Sequence, residues 1–435
     1  MGKKRNILCL ALALVLLSGC SLRTLDALYQ VPKRSKEYSN LQSAIDRNLG
    51  NLEYCAPLSG ENLQAVQMAD LDGDGVQEYL LFAKGIEEKP LHILIFSLVD
   101  ESYVLSDTIQ SHGSAFDLVQ YAGMDDRPGY ELIVGCQISD QVVRSVSVYS
   151  FREGKAEQLM NASYTKFLTY DLNADGRGEL MTLRPGETDE SNGVAELYSY
   201  TSGVMERSDQ VSLSETTNNL KRIVPGKLHG GQPAIYVSST AGEHTIVTDV
   251  FASVDGRFTN VSVFNDSGTS IQTLRNYYVY AEDMDGDGVV ELPSRVDMHP
   301  PGNLHISTMQ YLIRWYAMME TGEEVEKLYT YHNFLGGWYF MLDASWASRA
   351  AVLQQGSAYE FYIWDQEYYT ARKLMTIYSL TGSARAEMKV QEDRFIIYEN
   401  DAALYVAQLE DGCAEYGLTQ EYVRNSFRLI GQEWT

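Results

Sequence analysis

Basic residues are scarce in this 435-residue chain: 34 Lys and Arg stand against 59 Asp and Glu, a formal net charge of −25. Phosphate binding needs a positive face, so nucleic acid is excluded as a partner. Adhesion to anionic lipid by charge alone is excluded for the same reason. Cysteine is rare too, and beyond residue 20 only Cys55, Cys136 and Cys413 remain. Three widely spaced thiols make no disulfide framework. Either all three are free, or Cys55 near the start of the folded body pairs with Cys413 near its end. The seven histidines fall in no paired metal-ligand spacing, and G-x-S-x-G, P-loop and G-x-G-x-x-G motifs are missing. The apolar run 7–17 is too short to cross a bilayer as a helix.

That run follows Lys3, Lys4 and Arg5 and precedes Leu17, Ser18, Gly19 and Cys20, the layout of a secretion signal over 1–19. Its ending resembles the bacterial lipobox, which implies lipidation of Cys20 and an extracytoplasmic, membrane-anchored protein. Residues 20–36 read as a polar tether. A short helix is expected over 37–50, with Tyr38, Leu41, Ile45 and Leu49 at helical spacing and Gly50 as its stop.

From residue 51 onward the chain reads as one all-β body. Short apolar runs, 65–68, 79–83 and 91–98, alternate with turn residues. A nine-residue anchor punctuates them. Its first copy holds Asp70, Asp72, Asp74 and Glu78 at positions 1, 3, 5 and 9, with Gly73 and Gly75 between and Val76 at position 7. The glycines allow a turn sharp enough for four carboxylates to converge, and an all-oxygen set suits a hard cation such as calcium. The alternative is a solvated acidic turn. Copies recur at 123–131, at 171–179 (Asp171, Asn173, Asp175, Arg177, Glu179), at 226–234 and at 283–291 (Asp283, Asp285, Asp287, Val289, Glu291). A period near 50 residues with about four strands per unit predicts a β-propeller of about seven four-stranded blades. Five units occupy 62–300, the fifth losing its later strands, and degenerate blades occupy 301–415. Thr419 caps a closing helix within 419–430.

An EF-hand is disfavoured, because position 12 is Leu81, Thr182 or Ser294 where that motif needs a bidentate Glu. The pattern resembles the FG-GAP and VCBS-type repeats of calcium-binding propellers, including the integrin α-chain head. The family's literal Phe-Gly and Gly-Ala-Pro signatures are absent. The resemblance implies calcium held by the acids at positions 1, 3, 5 and 9 and the carbonyl at 7. It thus implies Asp70, Asp72, Asp74, Val76 and Glu78; Asp171, Asn173, Asp175, Arg177 and Glu179; and Asp283, Asp285, Asp287, Val289 and Glu291. Counting charge, the loops at 70 and 283 are the two strong sites and the loop at 171 the weaker. The other two lack acids: Gly123 and Arg127 stand in one, where the Arg127 cation replaces calcium, and Gly226, Leu228 and Gly230 in the other.

The expected role is a surface-anchored, calcium-stabilised module binding a protein or glycan, not an enzyme. The alternatives are a carbohydrate-active enzyme such as a polysaccharide lyase, or an envelope scaffold. Two minor features stay open: His299 and His305 around Pro300, and Trp315, Trp338, Trp346 and Trp364, as core residues or as platforms for sugar rings.

Overall fold

The computed structural model describes residues 36–138, 144–188, 190–263, 268–277, 279–298, 311–365, 370–382, 385 and 393–431. The expected leader, Cys20, most of the tether, His299 and His305 lie outside them. Among the described residues no helix is long and apolar enough to cross a membrane.

Helix α1 (Lys36–Leu49) opens the fold. Its Leu41, Ala44 and Ile45 are buried against Leu81, Ala83, Leu94, Phe96 and Tyr103 of the first sheet. The rest is strand, arranged as six antiparallel sheets. The first contains β1 (Glu53–Tyr54), β2 (Val66–Ala69), β3 (Glu78–Lys84), β4 (Leu91–Val99) and β5 (Ser102–Ser111). There β1 and β2 share one edge of β3. The second holds β6 (Ala115–Ala122), β7 (Glu131–Gln137), β8 (Arg144–Arg152) and β9 (Lys155–Tyr164). The third holds β10 (Lys166–Tyr170), β11 (Glu179–Arg184), β12 (Val194–Thr201) and β13 (Val204–Ser212). The fourth holds β14 (Leu220–Lys227), β15 (Pro233–Thr240), β16 (Ile246–Val254) and β17 (Arg257–Asn260).

The fifth sheet comprises β18 (Glu291–Asp297), β19 (Tyr311–Met318), β20 (Glu324–Asn333) and β21 (Trp338–Leu342). The sixth, after the short helix α2 (Ala344–Ala347), comprises β22 (Ala350–Gln355), β23 (Ala358–Asp365), β24 (Thr370–Thr381), β25 (Arg394–Glu399) and β26 (Ala403–Leu409), with β26 between β24 and β25. Helix α3 (Gln420–Ser426) starts on Thr419, whose Oγ1 accepts the Tyr422 N–H at 3.1 Å. It ends earlier than expected, because Phe427–Leu429 leaves it as β27 and pairs with β21.

The described residues thus hold six sheets where the sequence predicts about seven blades. The reason is the fifth unit. It is not truncated: Tyr311–Met318 and the two strands after it complete its sheet beyond the stretch 299–310. A recurring β-bulge marks five of the six units as alike, the fourth lacking it. The register shifts at the same place in the pairings of β4 with β5, β8 with β9, β12 with β13, β19 with β20 and β23 with β24.

Successive sheets pack face to face. One apolar cluster joins each neighbouring pair, from Phe82 and Phe116 between the first and second to Trp338, Phe340 and Phe361 between the fifth and sixth. Central strands such as β3 and β4 are therefore apolar on both faces, while β5 and β13 show side chains to solvent. Among the described residues no apolar cluster joins the sixth sheet to the first; α1 covers the first sheet's free face instead. Trp315, Trp338 and Trp346 are fully buried, which makes them core rather than sugar platforms. Cys55, Cys136 and Cys413 are free. Cys55 packs on the cluster containing Cys136, and Cys413 lies in another, so the Cys55–Cys413 pairing does not form.

Candidate metal centre

The anchors all lie at one end of the sheets, in the turn before β3, β7, β11, β15 and β18. Four share one construction. The ninth-position acid is the first residue of the strand, and it is buried: Glu78, Glu131, Glu179 and Glu291. Its Oε2 accepts the N–H of position 2 across the turn, from Leu71 at 3.0 Å, Met124 at 2.7 Å, Leu172 at 2.9 Å and Met284 at 2.9 Å. Those four apolar side chains are themselves buried and pin the loop to the core. The first-position Asp closes the turn: Asp70 accepts from the N–H groups of Gly73 and Gly75 at 2.8 and 3.1 Å, and Asp283 does the same for Gly286 and Gly288. Gly73, Gly75, Gly286 and Gly288 all have positive φ, the conformation glycine adopts without strain. Ala174 takes such a φ, +59°, in the third loop.

The loops also touch one another. Tyr130 N–H donates to the Asp70 carbonyl at 3.1 Å, Gly178 N–H to the Gly123 carbonyl at 2.8 Å, and Val290 N–H to the Lys227 carbonyl at 3.1 Å. The fourth hairpin departs from the pattern for a reason the spacing hides. Only 228–232 separate its last paired residues, Lys227 and Pro233, whereas 70–77 separate Ala69 and Glu78 in the first. It is too short to form the nine-residue loop at all, and reaches the third loop through Gln232 Nε2, 3.4 Å from the Leu172 carbonyl.

Two of the three expected sites gather carboxylates that could hold a metal ion. Asp70, Asp72 and Glu78 form one group and Asp283, Asp285 and Glu291 the other, each with ligand oxygens within 4.8 Å of one another. Position 5 does not join either group. Asp74 and Asp287 accept the N–H of Val76 and Val289, at 2.7 and 2.8 Å, an Asx turn that points the carboxylate along the loop. In the third loop Arg177 N–H likewise donates to Asp175 at 2.9 Å. The Arg177 guanidinium adds a bond to Asp175, and the Asn173 amide donates to both Asp175 and Glu179. Donors thus stand where a cation would.

Electrostatics separates the loops further. Burial pushes Glu78, Glu179 and Glu291 up to about 7, with neighbouring carboxylates adding to the rise. Asp72 is also raised, chiefly by desolvation. Such a set gains most from a divalent cation, and the oxygen-only donors of Asp70, Asp72 and Glu78 fit calcium. In the second loop a cation of the chain is already present, but it is Arg152 at the end of β8, on the buried Asp125, rather than Arg127. In the fifth loop Lys327 of β20 approaches Asp287 at 2.5 Å, Asp285 at 3.3 Å and Glu291 at 3.8 Å. Among the described residues no Lys, Arg or His pairs with the acids of the 70–78 loop.

A separate cavity of about 490 Å³ lies at the opposite end of the sheets, between the second, third and fourth units. Arg144, Thr165, Thr188, Ser191 and Thr217 are among the residues that line it. Arg144 is held 3.5 Å from the buried Asp117, which also accepts from Tyr164 at 2.7 Å.

No family model matches the chain, and neither does any curated protein. Solved structures with some likeness include the rhamnogalacturonan lyase PL11 of Bacillus licheniformis, 11% identical over 74% of this chain and 80% of that one, with a TM-score of 0.30. The exotype rhamnogalacturonan lyase YesX is 12% identical over 81% and 83%, at 0.31. TolB from Acinetobacter baumannii is 10% identical over 78% and 69%, at 0.25. Likenesses at these TM-scores carry no argument about fold or activity.

Proposed function

We propose that this chain is a non-catalytic binding module of the bacterial cell envelope. In this reading Cys20 carries its lipid anchor on the extracytoplasmic face, its sheets are blades of propeller type, and calcium braces one end of the stack. The observation that carries the calcium reading is the 70–78 loop: Asp70, Asp72 and Glu78 converge with no Lys, Arg or His beside them among the described residues, hard against the next loop. A metal there stabilises the stack and does no chemistry. The ligand reading rests on the opposite end, where a cavity lined largely by Ser, Thr, Asn and Arg residues is of a kind that a glycan could occupy.

Glycan-array binding by the purified protein tests this, with Thr217→Trp as the variant that fills the cavity. Binding that is lost in the variant supports the module. Incubation with acidic polysaccharides addresses the competing lyase reading, because unsaturated products that disappear with chelator would replace a binder by an enzyme.

A further inference from the structure

We propose that Lys327 is the resident cation of the 283–291 loop, so that this loop, despite its full set of acids, folds without calcium and excludes it. The inference rests on the reading of 70–78 as a calcium loop, whose acids it shares. Lys327 reaches the loop from β20, 40 residues along the chain from Asp287. Its ammonium lies within 4 Å of Asp285, Asp287 and Glu291 together. Glu291 is wholly buried, and among the described residues its Oε1 has no hydrogen-bond donor, so the Lys327 ammonium, 3.8 Å away, is the cation that faces it. A lysine head offers three donors on a compact charge, which suits three converging carboxylates. Calcium enters only if Lys327 leaves.

The same register position of the first unit shows the contrast. The bulge residue of β5, which matches Lys327 of β20, is Ser106, and among the described residues no Lys, Arg or His pairs with the 70–78 acids. The second unit supplies a precedent, with Arg152 from the β8–β9 hairpin on Asp125. Two of the acid loops are thus neutralised from a neighbouring strand, and one is left open.

Calcium titration by calorimetry of the wild type, Lys327→Met, Lys327→Arg and Asp72→Asn tests the assignment. Wild type and Lys327→Arg should bind one calcium, Lys327→Met two, and Asp72→Asn none tightly. In chelator Lys327→Met should melt a few degrees below wild type and recover on adding calcium. If calcium binds the wild type but Lys327→Met gains no site, the proposal is overturned. If calcium binds neither protein, the calcium reading of 70–78 fails by itself, and a double-mutant cycle of Lys327→Met with Asp287→Asn in chelator decides. Non-additive melting temperatures uphold Lys327 as the loop's cation; additive ones overturn it.

Discussion

The loops at 70–78 and 283–291 carry acids at the same four positions and fold through the same bonds, yet they differ in what faces them. In the first, Asp70, Asp72 and the buried Glu78 converge with no Lys, Arg or His beside them among the described residues, and the loop's backbone accepts from the next loop through the Asp70 carbonyl. The second meets Lys327. The same acids and glycines therefore specify the same turn but not the same ion, because the counter-charge comes from another strand. Coulombic demand is local; its supply is tertiary.

The largest expected effect comes from breaking the close backbone approach of Gly129 to the 70–78 loop. A Cβ at Gly129 would lie 2.7 Å from the Leu71 carbonyl oxygen and 2.8 Å from Gly73 N, at a φ of +104°. Gly129→Ala should cost roughly 2–4 kcal/mol and weaken the calcium response with it. Gly286→Ala, where a Cβ meets nothing within 4 Å, should cost only about 1 kcal/mol; equal losses in urea melts would remove the difference between the two loops. Arg152→Met tests the internal-cation arrangement in the second unit. Leaving the buried Asp125 unpaired should cost about 3 kcal/mol by denaturant unfolding, with no rescue expected from sodium.

Acid should strike the fifth unit. His332 on β20 is held neutral by burial, its pKa lowered to about 3. A base with a depressed folded-state pKa contributes full stability above its ordinary value near 6.5 and loses it as pH falls toward 3. The slope is about 1.4 kcal/mol per pH unit in that window. Unfolding followed between pH 7 and 4 in wild type and His332→Phe should show a shallower slope in the variant. The smallest effect belongs to the third loop. Ala174→Gly relieves a positive φ and should raise stability by roughly 0.5–1 kcal/mol; a lower melting temperature would show that the loop carries no strain there.

Much of this was legible in the sequence. The acids with Gly73 and Gly75 mark the turns, and the apolar runs 65–68, 79–83 and 91–98 mark β2, β3 and β4. The α1 stripe of Leu41 and Ile45 faces the core as its spacing requires. What escaped has a common cause, which is distance along the chain. Lys327 and Arg152 lie on strands whose register no local pattern reveals. The fifth unit reads as truncated because 299–310 interrupts its rhythm. The fourth hairpin aligns on its glycines at nine residues, although its pairing closes it early. The position-5 acids compete for a backbone N–H two residues on, and the spacing alone cannot show which partner wins.

The most direct measurement is the melting temperature against calcium in wild type and Asp72→Asn. At calcium a hundredfold above its Kd the wild type should gain about 2.7 kcal/mol, and Asp72→Asn should gain almost none. A flat wild-type curve, or an undiminished gain in Asp72→Asn, would contradict the account.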